Sequence, residues 1–372
     1  MRTIPARYGP ELVAALDAAL DGTGPAVLPL PAGAEGERLW AALRPHEPVE
    51  PGTALVVPTS GSTGDPKGVL LSAAALAASA DATERRLGGP GRWTLALPVT
   101  HIAGLQVVLR ALRAGAPPVP VAAGCEADFV AATAALGSGR RYTSLVPTQL
   151  GRLLAAGPGT LDALRSYTAV LLGGAAPPAG LVAGARDEGV PVVVTYGMSE
   201  TCGGCVYDGV PLDGVRVDLA EGDRIRIGGP VLAHGYRLRP ELSREAFAGG
   251  RFVTGDVGRL AGGRLTVLGR TDDVLVTGGE KVAPGEVADA LAEHPAVAGA
   301  AVVGVTDPEW GQRVVAVVVL RDGAGLTLAE ARRHVAGRVS AVAAPRELRV
   351  VDALPLLPSG KLDRRALLRE PR

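Results

Sequence analysis

Lysine is almost missing from this 372-residue chain: of 38 basic side chains 35 are Arg, and only Lys67, Lys281 and Lys361 are Lys. Asparagine is absent altogether, a pattern that fits a GC-rich coding bias in which Arg replaces Lys wherever a generic surface cation suffices. No excess of either charge exists, since 38 acidic groups balance the 38 basic ones, so nothing draws the chain onto nucleic acid or an anionic membrane. Apolar runs are all shorter than the roughly 20 residues that a membrane-spanning helix needs. The first 30 residues lack a basic segment leading into an apolar run, and Glu11 and Asp17 interrupt them, which points to a cytosolic chain. Three cysteines are too few for a disulfide framework. Cys202 and Cys205 form a lone C-x-x-C without a second ligand pair, so they read as small buried residues rather than a zinc site. No low-complexity tract and no repeat of 20 to 50 residues is present. With 47% apolar and 20% charged residues, the chain has the makings of two or three folded domains that act on small molecules.

Scarcity gives the surviving lysines weight. An ammonium is a compact charge on a flexible stem that reaches a single phosphate or carboxylate oxygen where a planar guanidinium would not fit. Lys67 ends Thr59-Ser60-Gly61-Ser62-Thr63-Gly64-Asp65-Pro66-Lys67-Gly68, between the strand-like Ala54-Leu55-Val56-Val57 and a helix that Ser72 would cap. Glycines let the backbone approach an anion and turn N–H groups toward it, hydroxyls add neutral donors, and the lysine adds charge. The segment is a phosphate cradle, and Pro66 before Lys67 excludes a Walker A loop.

This loop resembles the phosphate-binding signature of the acyl-adenylate-forming enzymes, the superfamily of acyl-CoA synthetases, luciferases and peptide-synthetase adenylation domains. Further segments resemble that family in matching order. They are Pro98-Val99-Thr100-His101-Ile102-Ala103-Gly104, Leu172-Gly173-Gly174-Ala175, Thr195-Tyr196-Gly197-Met198-Ser199-Glu200-Thr201 and Thr254-Gly255-Asp256. Gly269-Arg270-Thr271-Asp272-Asp273, Gly278-Gly279-Glu280-Lys281 and Pro358-Ser359-Gly360-Lys361-Leu362-Asp363 follow, and all three lysines fall inside the matching segments.

The resemblance implies a role for each. Thr59 to Gly64 and Lys67 would hold the pyrophosphate portion of ATP. Gly173, Gly174, Ala175, Thr195, Tyr196, Gly197 and Ser199 would form the nucleotide wall, with the Tyr196 ring stacked on adenine. Asp256 and Arg270 would meet the ribose hydroxyls. Glu200 would hold Mg²⁺ on the triphosphate. His101, Ser144, Gly174 and Thr201 would border the acyl substrate. Lys361 would bridge the reacting carboxylate and the α-phosphate, while Gly278, Gly279 and Lys281 would border the channel for coenzyme A. Thr94 to Gln106 and Ser144 to Leu150 are worded like the o-succinylbenzoate–CoA ligases within the superfamily, implying a small-molecule carboxylic acid, ATP and CoA as partners. Another aryl- or acyl-CoA ligase, or an adenylation enzyme that loads a carrier protein, stays open, as does a homo-oligomer.

The expected architecture is an α/β body over residues 1–271, in which short Val/Leu strands alternate with Ala-rich helices, followed by a small mobile α+β domain over 272–372 with Asp272 as hinge. The second part reads as short strands and two helices, near 284–293 and 327–340, the latter opened by a Thr327-x-x-Glu330 capping box and carrying Arg332, Arg333 and Arg338 on a solvated face. The phosphate loop begins at residue 59, earlier than in typical members of the superfamily, so the front of the body is expected to be reduced. His46, His234, His294 and His334 match no motif and read as surface or local packing.

Overall fold

The computed structural model describes residues 1–60, 66–122, 124–178, 180–355 and 362–368. The front of the chain builds β1 (Arg2–Pro5), α1 (Pro10–Leu20), β2 (Val27–Leu30), α2 (Ala34–Leu43), β3 (Leu55–Ser60), β4 (Pro66–Leu71) and α3 (Ala73–Leu87). β1, β2 and β3 are parallel, and β4 returns antiparallel beside β3. Ser72 caps α3 as expected: its hydroxyl accepts from the Ala75 N–H at 3.1 Å.

The middle of the chain is doubly wound. β5 (Arg92–Leu95), α4 (Ile102–Arg113), β6 (Val119–Pro120), α5 (Glu126–Ala135), β7 (Arg141–Leu145), α6 (Pro147–Ala155), α7 (Pro158–Arg165), β8 (Ala169–Leu172), α8 (Leu181–Asp187) and β9 (Val192–Met198) feed one sheet, extended by β10 (Gly203–Tyr207) and β11 (Val210–Pro211). Its order is β11-β10-β9-β8-β7-β5-β6, parallel from β6 to β9, with β10 and β11 antiparallel at the edge. Strand alternation sends Trp93, Tyr142 and Leu171 into the core shared with α3 and α4, and Leu145, Val170 and Leu172 into a second core with α5 to α8.

Beyond residue 203 the α/β alternation expected through about 270 stops. β12 (Arg216–Leu219), β13 (Arg224–Gly228), β15 (Arg251–Ala261) and β16 (Arg264–Arg270) form an antiparallel sheet in the order β12-β13-β15-β16, interrupted by β14 (Gly235–Tyr236) and the short α9 (Pro240–Ala246). The Arg, Asp and Gly residues that alternate with Val, Ile and Leu here give period-two strands with one wetter face, which a buried parallel strand does not show. β14 leaves this sheet and pairs with β4, Gly235 opposite Leu70 and Tyr236 opposite Val69.

The last part contains β17 (Leu275–Thr277), β18 (Glu280–Val282), α10 (Pro284–Ala292), β19 (Val297–Asp307), β20 (Gly311–Leu320), α11 (Leu328–Ala336), β21 (Glu347–Val350) and α12 (Arg364–Leu367). Two helices start where the sequence placed them, but the strands are not all short: β19 and β20 pair along nearly their full length as one long hairpin. α11 ends at Ala336, so Arg338 lies outside it and donates to Glu293 at 2.9 Å, and Arg332 donates to the Pro345 carbonyl at 3.1 Å. The Thr327–Glu330 capping box forms, with the Thr327 N–H donating to Glu330 Oε2 at 2.8 Å. The main hydrophobic cluster draws on residues between Ile4 and Leu265, whereas a separate one runs from Leu275 to Ala343. Among the described residues no helix is long and apolar enough to cross a membrane.

Candidate active site

The two stems of the phosphate loop meet as a hairpin. Thr59 is paired with Lys67 and Ser60 with Pro66, and the Thr59 hydroxyl donates to the Lys67 carbonyl at 3.4 Å. Gly61, Ser62, Thr63 and Gly64 lie outside the described residues. From this hairpin the Lys67 ammonium points over the ring of Tyr236, 5.5 Å from its centroid, a cation–π distance. The Tyr236 hydroxyl in turn donates to Glu200 Oε1 at 2.9 Å. Burial, with the Glu200 carboxylate beside it, pushes the Tyr236 phenol well above its ordinary value, so it stays a neutral donor.

Glu200 belongs to a single helical turn at the end of β9, Ser199–Thr201, where its carbonyl accepts from the Ala233 N–H at 2.8 Å. Thr201 is fully buried, and its hydroxyl accepts from the Met198 N–H at 2.9 Å and donates to the Gly203 carbonyl at 2.8 Å. Its place is that of a clamp on the turn beneath Glu200 rather than a wall facing a substrate. Among the described residues no three His, Cys, Asp or Glu side chains converge on a metal site, which leaves Glu200 as a single carboxylate. One carboxylate suits Mg²⁺ carried in on phosphate oxygens, because Mg²⁺ keeps several waters and needs few protein ligands; it does not suit a resident all-protein site.

A second cluster stands at the carboxyl end of the parallel sheet, the usual ligand crevice of such folds. Tyr196 donates its hydroxyl to Asp256 Oδ2 at 2.7 Å, and Arg270 approaches Asp256 Oδ1 at 3.5 Å from the register position opposite it on β16. Thr254 fixes the bend by accepting from the Asp256 N–H at 3.0 Å. Burial first, and then Asp256, pushes the Tyr196 phenol far up. Gly173 and Gly197 are there because of close approach: a Cβ on Gly173 would lie 2.4 Å from Thr195 Oγ1, and one on Gly197 would lie 2.1 Å from the Gly203 carbonyl oxygen. Gly173 thereby sits directly against Thr195, the residue before Tyr196 on β9.

His101 occupies the N-cap of α4 with extended backbone and is exposed. The following turn is tight enough that a Cβ on Gly104 would lie 2.3 Å from the Pro98 carbonyl oxygen. Ser144, only 8% exposed, lies near the end of β7, two residues from Tyr142 and on the same side of the strand. Cys202 and Cys205 are free, fully buried thiols, and burial holds Cys205 up at about 12, far from a reactive thiolate.

In the last part of the chain, Gly278 and Gly279 have left-handed φ values of 58° and 82°. Lys281 forms an ion pair with Asp223 at 3.0 Å, reaching the turn between β12 and β13. Asp272 is exposed in the turn that follows β16. Lys361 lies outside the described residues. Sequence reasoning missed Tyr236 because Gly235-Tyr236 is a two-residue strand without a local pattern. It also missed Gln106 and Arg110, which look on paper like the polar stripe of an amphipathic helix but are 1% and 7% exposed.

The chain matches the family model of AMP-binding enzymes over residues 12–241 and that of the AMP-binding enzyme C-terminal domain over residues 286–361. It is 50% identical over 366 residues to a Mycobacterium tuberculosis protein named "Probable 2-succinylbenzoate–CoA ligase", covering 96% of this chain and 94% of that one. The 2-succinylbenzoate–CoA ligase of Geobacillus kaustophilus is 34% identical over 341 residues, covering 85% and 69%. Among solved structures, the o-succinylbenzoate CoA synthetase of Bacillus subtilis in complex with its acyl-adenylate intermediate superposes with a TM-score of 0.73 at 27% identity, covering 97% of this chain and 81% of that one. The first of these models spans more than half of the chain, Lys67, Glu200 and Tyr236 included, and the chain belongs to the AMP-binding enzymes.

Proposed function

We propose that the chain is an acid–thiol ligase that joins o-succinylbenzoate to coenzyme A at the expense of ATP, giving o-succinylbenzoyl-CoA, AMP and pyrophosphate, a step of menaquinone biosynthesis. The single observation that carries this reading is the 50% identity to the mycobacterial ligase over 96% of the chain. The residues support the same chemistry, because Lys67 and Glu200, joined through Tyr236, offer groups for phosphates and a metal ion, and Asp256 with Tyr196 and Arg270 offers groups for ribose hydroxyls.

In the first half-reaction an oxygen of the succinyl carboxylate attacks the α-phosphorus, a new P–O bond forms, and the bond to pyrophosphate breaks. Lys67 and the segment from Thr59 to Gly64 would hold the leaving pyrophosphate, and Lys361 would bridge carboxylate and α-phosphate, so that charge is compensated where it develops. Glu200, oriented by Tyr236, would hold a phosphate-borne Mg²⁺, which supplies further charge neutralisation when bound. Asp256, positioned by Tyr196 and Arg270, takes the ribose hydroxyls. In the second half-reaction the CoA sulfur attacks the acyl carbon, the C–S bond forms, and AMP leaves with the electrons of the C–O bond. No protein nucleophile is needed, in keeping with inert Cys202 and Cys205. The chain divides at Asp272 into a body, 1–271, and a small domain, 272–372, that brings Lys361 and then the Gly278-Gly279 loop with Lys281 to the same site.

The test is CoA-dependent AMP release across a panel of carboxylic acids. o-Succinylbenzoate is expected to lead benzoate and octanoate by a wide margin in kcat/KM, and a comparable value for octanoate overturns the substrate.

A further inference from the structure

The C-x-x-C pair, for which the chemistry above has no use, begins at the end of the turn that carries Glu200. Cys202 closes that turn with φ 52° and ψ 34°, in the left-handed region, and its N–H donates to the Ser199 carbonyl at 3.1 Å. Among the described residues four others besides glycine have positive φ, Arg44, Asp208, Asp223 and Leu238, and all four are exposed. Cys202 is fully buried. A side chain with a Cβ is disfavoured in this conformation and stays in it inside a core only where its surroundings hold it there.

Part of what holds it comes from α3. Ser79 is 1% exposed and donates its hydroxyl to the Cys202 carbonyl at 3.0 Å, across 123 positions of sequence. A buried helical serine readily gives its proton to the carbonyl four residues earlier, whereas this one gives it to the turn. Thr83, four residues on and so on the same face of α3, meets the Tyr207 hydroxyl at 3.0 Å at the far end of β10. The helix is thereby fastened at both ends of the strand that leaves the turn. Glu200 lies two residues before Cys202, and its backbone is set from the other side by the Ala233 N–H on its own carbonyl and by the Thr201 hydroxyl between Met198 and Gly203. Tyr236 orients the carboxylate itself; Ser79 fixes the peptide plane at the exit of the turn from which that carboxylate hangs.

We propose that Ser79 is a positioning residue for Glu200: by holding the Cys202 carbonyl it keeps the turn in the left-handed exit that aims the carboxylate at phosphate-borne Mg²⁺. The proposal rests on the functional reading above. Ser79 and Cys202 act through Glu200 and touch no reacting atom.

The experiment compares wild type, Ser79→Ala, Ser79→Thr, Cys202→Gly, Cys202→Val and the double variant Ser79→Ala with Cys202→Gly. Mn²⁺ binding in the presence of ATP, without an acid to react, is read by electron paramagnetic resonance, beside the Mg²⁺ dependence of pyrophosphate release with o-succinylbenzoate and thioester formation from supplied acyl-adenylate. In Ser79→Ala, Mn²⁺ affinity and Mg²⁺ half-saturation should each worsen by about tenfold, the scale of one lost hydrogen bond, with thioester formation far less affected. A general loss of structure would instead lower both half-reactions and leave the metal dependence in place. Ser79→Thr keeps the hydroxyl and should recover part of the affinity. Glycine takes the left-handed conformation without strain, so in the Cys202→Gly background Ser79→Ala should cost less than about threefold, whereas the β-branched Cys202→Val should weaken Mn²⁺ at least as much as Ser79→Ala does. Unchanged Mn²⁺ affinity in Ser79→Ala, or an equal loss with and without Cys202→Gly, overturns the proposal. If Ser79→Ala does not fold, equal Mn²⁺ affinity in Cys202→Val and Cys202→Gly overturns it. Wild type that binds Mn²⁺ with ATP yet releases no pyrophosphate with o-succinylbenzoate overturns the substrate alone, and the Mn²⁺ comparisons still decide the role of Ser79; wild type that binds no Mn²⁺ with ATP overturns both.

Discussion

Tyr236 donates its hydroxyl to Glu200 at 2.9 Å while presenting its ring face to Lys67, so one side chain braces the proposed metal ligand and the phosphate lysine at once. The link is possible because β14 pairs with β4 directly beside the hairpin that ends in Lys67. Without it, the Glu200 carboxylate and the Lys67 ammonium would each be set only by its own flexible stem.

Tyr236→Phe keeps the ring under Lys67 and removes the donor to Glu200. A hydrogen bond to a charged group contributes about 1.5–3 kcal/mol, so pyrophosphate release should slow by about tenfold or more, with a higher Mg²⁺ concentration needed for half-maximal rate. Tyr236→Leu should lose more, since it also removes the surface beneath Lys67. Identical Mg²⁺ dependence in Tyr236→Phe and wild type would show that Glu200 needs no brace.

Lys67→Ala and Glu200→Ala each remove charge compensation near pyrophosphate. Both should lower kcat/KM of the ATP-dependent half-reaction by about 100-fold or more, and Glu200→Ala alone should raise the Mg²⁺ requirement. Thioester formation from supplied acyl-adenylate should be far less affected. Wild-type rates of pyrophosphate release in both variants would sink the phosphate-site assignment.

Lys67 stood out by the scarcity of lysine and by its Gly-, Ser- and Thr-rich segment, whereas Glu200 and Asp256 were singled out only by resemblance to the adenylate-forming family; what neither signal reached shares a physical reason. Asp256 stands opposite Arg270 on two adjacent strands. Tyr236 reaches Glu200 across 36 positions of sequence, a contact made by tertiary pairing of β14 with β4 that no local pattern encodes. Gln106 and Arg110 occupy helical positions at which a polar residue ordinarily faces water; only the sheet packed against α4 turns them inward. The switch to antiparallel strands after residue 203 was hidden for a related reason, because Val- and Ile-rich stretches look alike in parallel and antiparallel strands until the partners are known.

Arg237 is expected to be a stability residue with a pH signature. It ties the segment from Leu43 to Glu50 to β14 through four carbonyls and Glu50, with 1% of its side chain exposed. Arg237→Met should destabilise by about 3–5 kcal/mol, because the carbonyls and the carboxylate are left without their donor. Burial alone would raise the Glu50 carboxyl, but the Leu238 N–H and Arg237 outweigh it and hold it below the usual carboxylate range. A depressed carboxyl contributes stability that is fully present above its unfolded value near 4.3 and is lost as pH falls through the lower folded value. Thermal unfolding between pH 7 and pH 3 should therefore show a smaller loss of Tm for Arg237→Met than for wild type, and parallel curves would reject the linkage.

The final expectation concerns the small domain, for which we propose two working faces turned about Asp272. Lys281 is drawn to Asp223 across the boundary at 3.0 Å, an exposed pair worth little by itself and therefore easily exchanged when the domain turns. Lys361 serves adenylation in this scheme, while the Gly278-Gly279 loop borders the path of CoA. A Cβ on Gly279 would meet nothing within 4 Å, so a larger side chain there projects into open space, although the left-handed φ of 82° adds backbone strain. Lys361→Ala should abolish acyl-adenylate formation and spare thioester formation from supplied acyl-adenylate; Gly279→Leu should do the reverse, with Gly279→Ala as the control for strain. Asp272→Pro restricts rotation at the turn and should retain more of the first half-reaction than of the second. Asp223→Ala should leave the first half-reaction unchanged, since an exposed ion pair of this kind contributes little. If the Lys361 and Gly279 variants, with circular dichroism spectra matching wild type, lose both half-reactions equally, the domain does not alternate and a single arrangement must serve both steps.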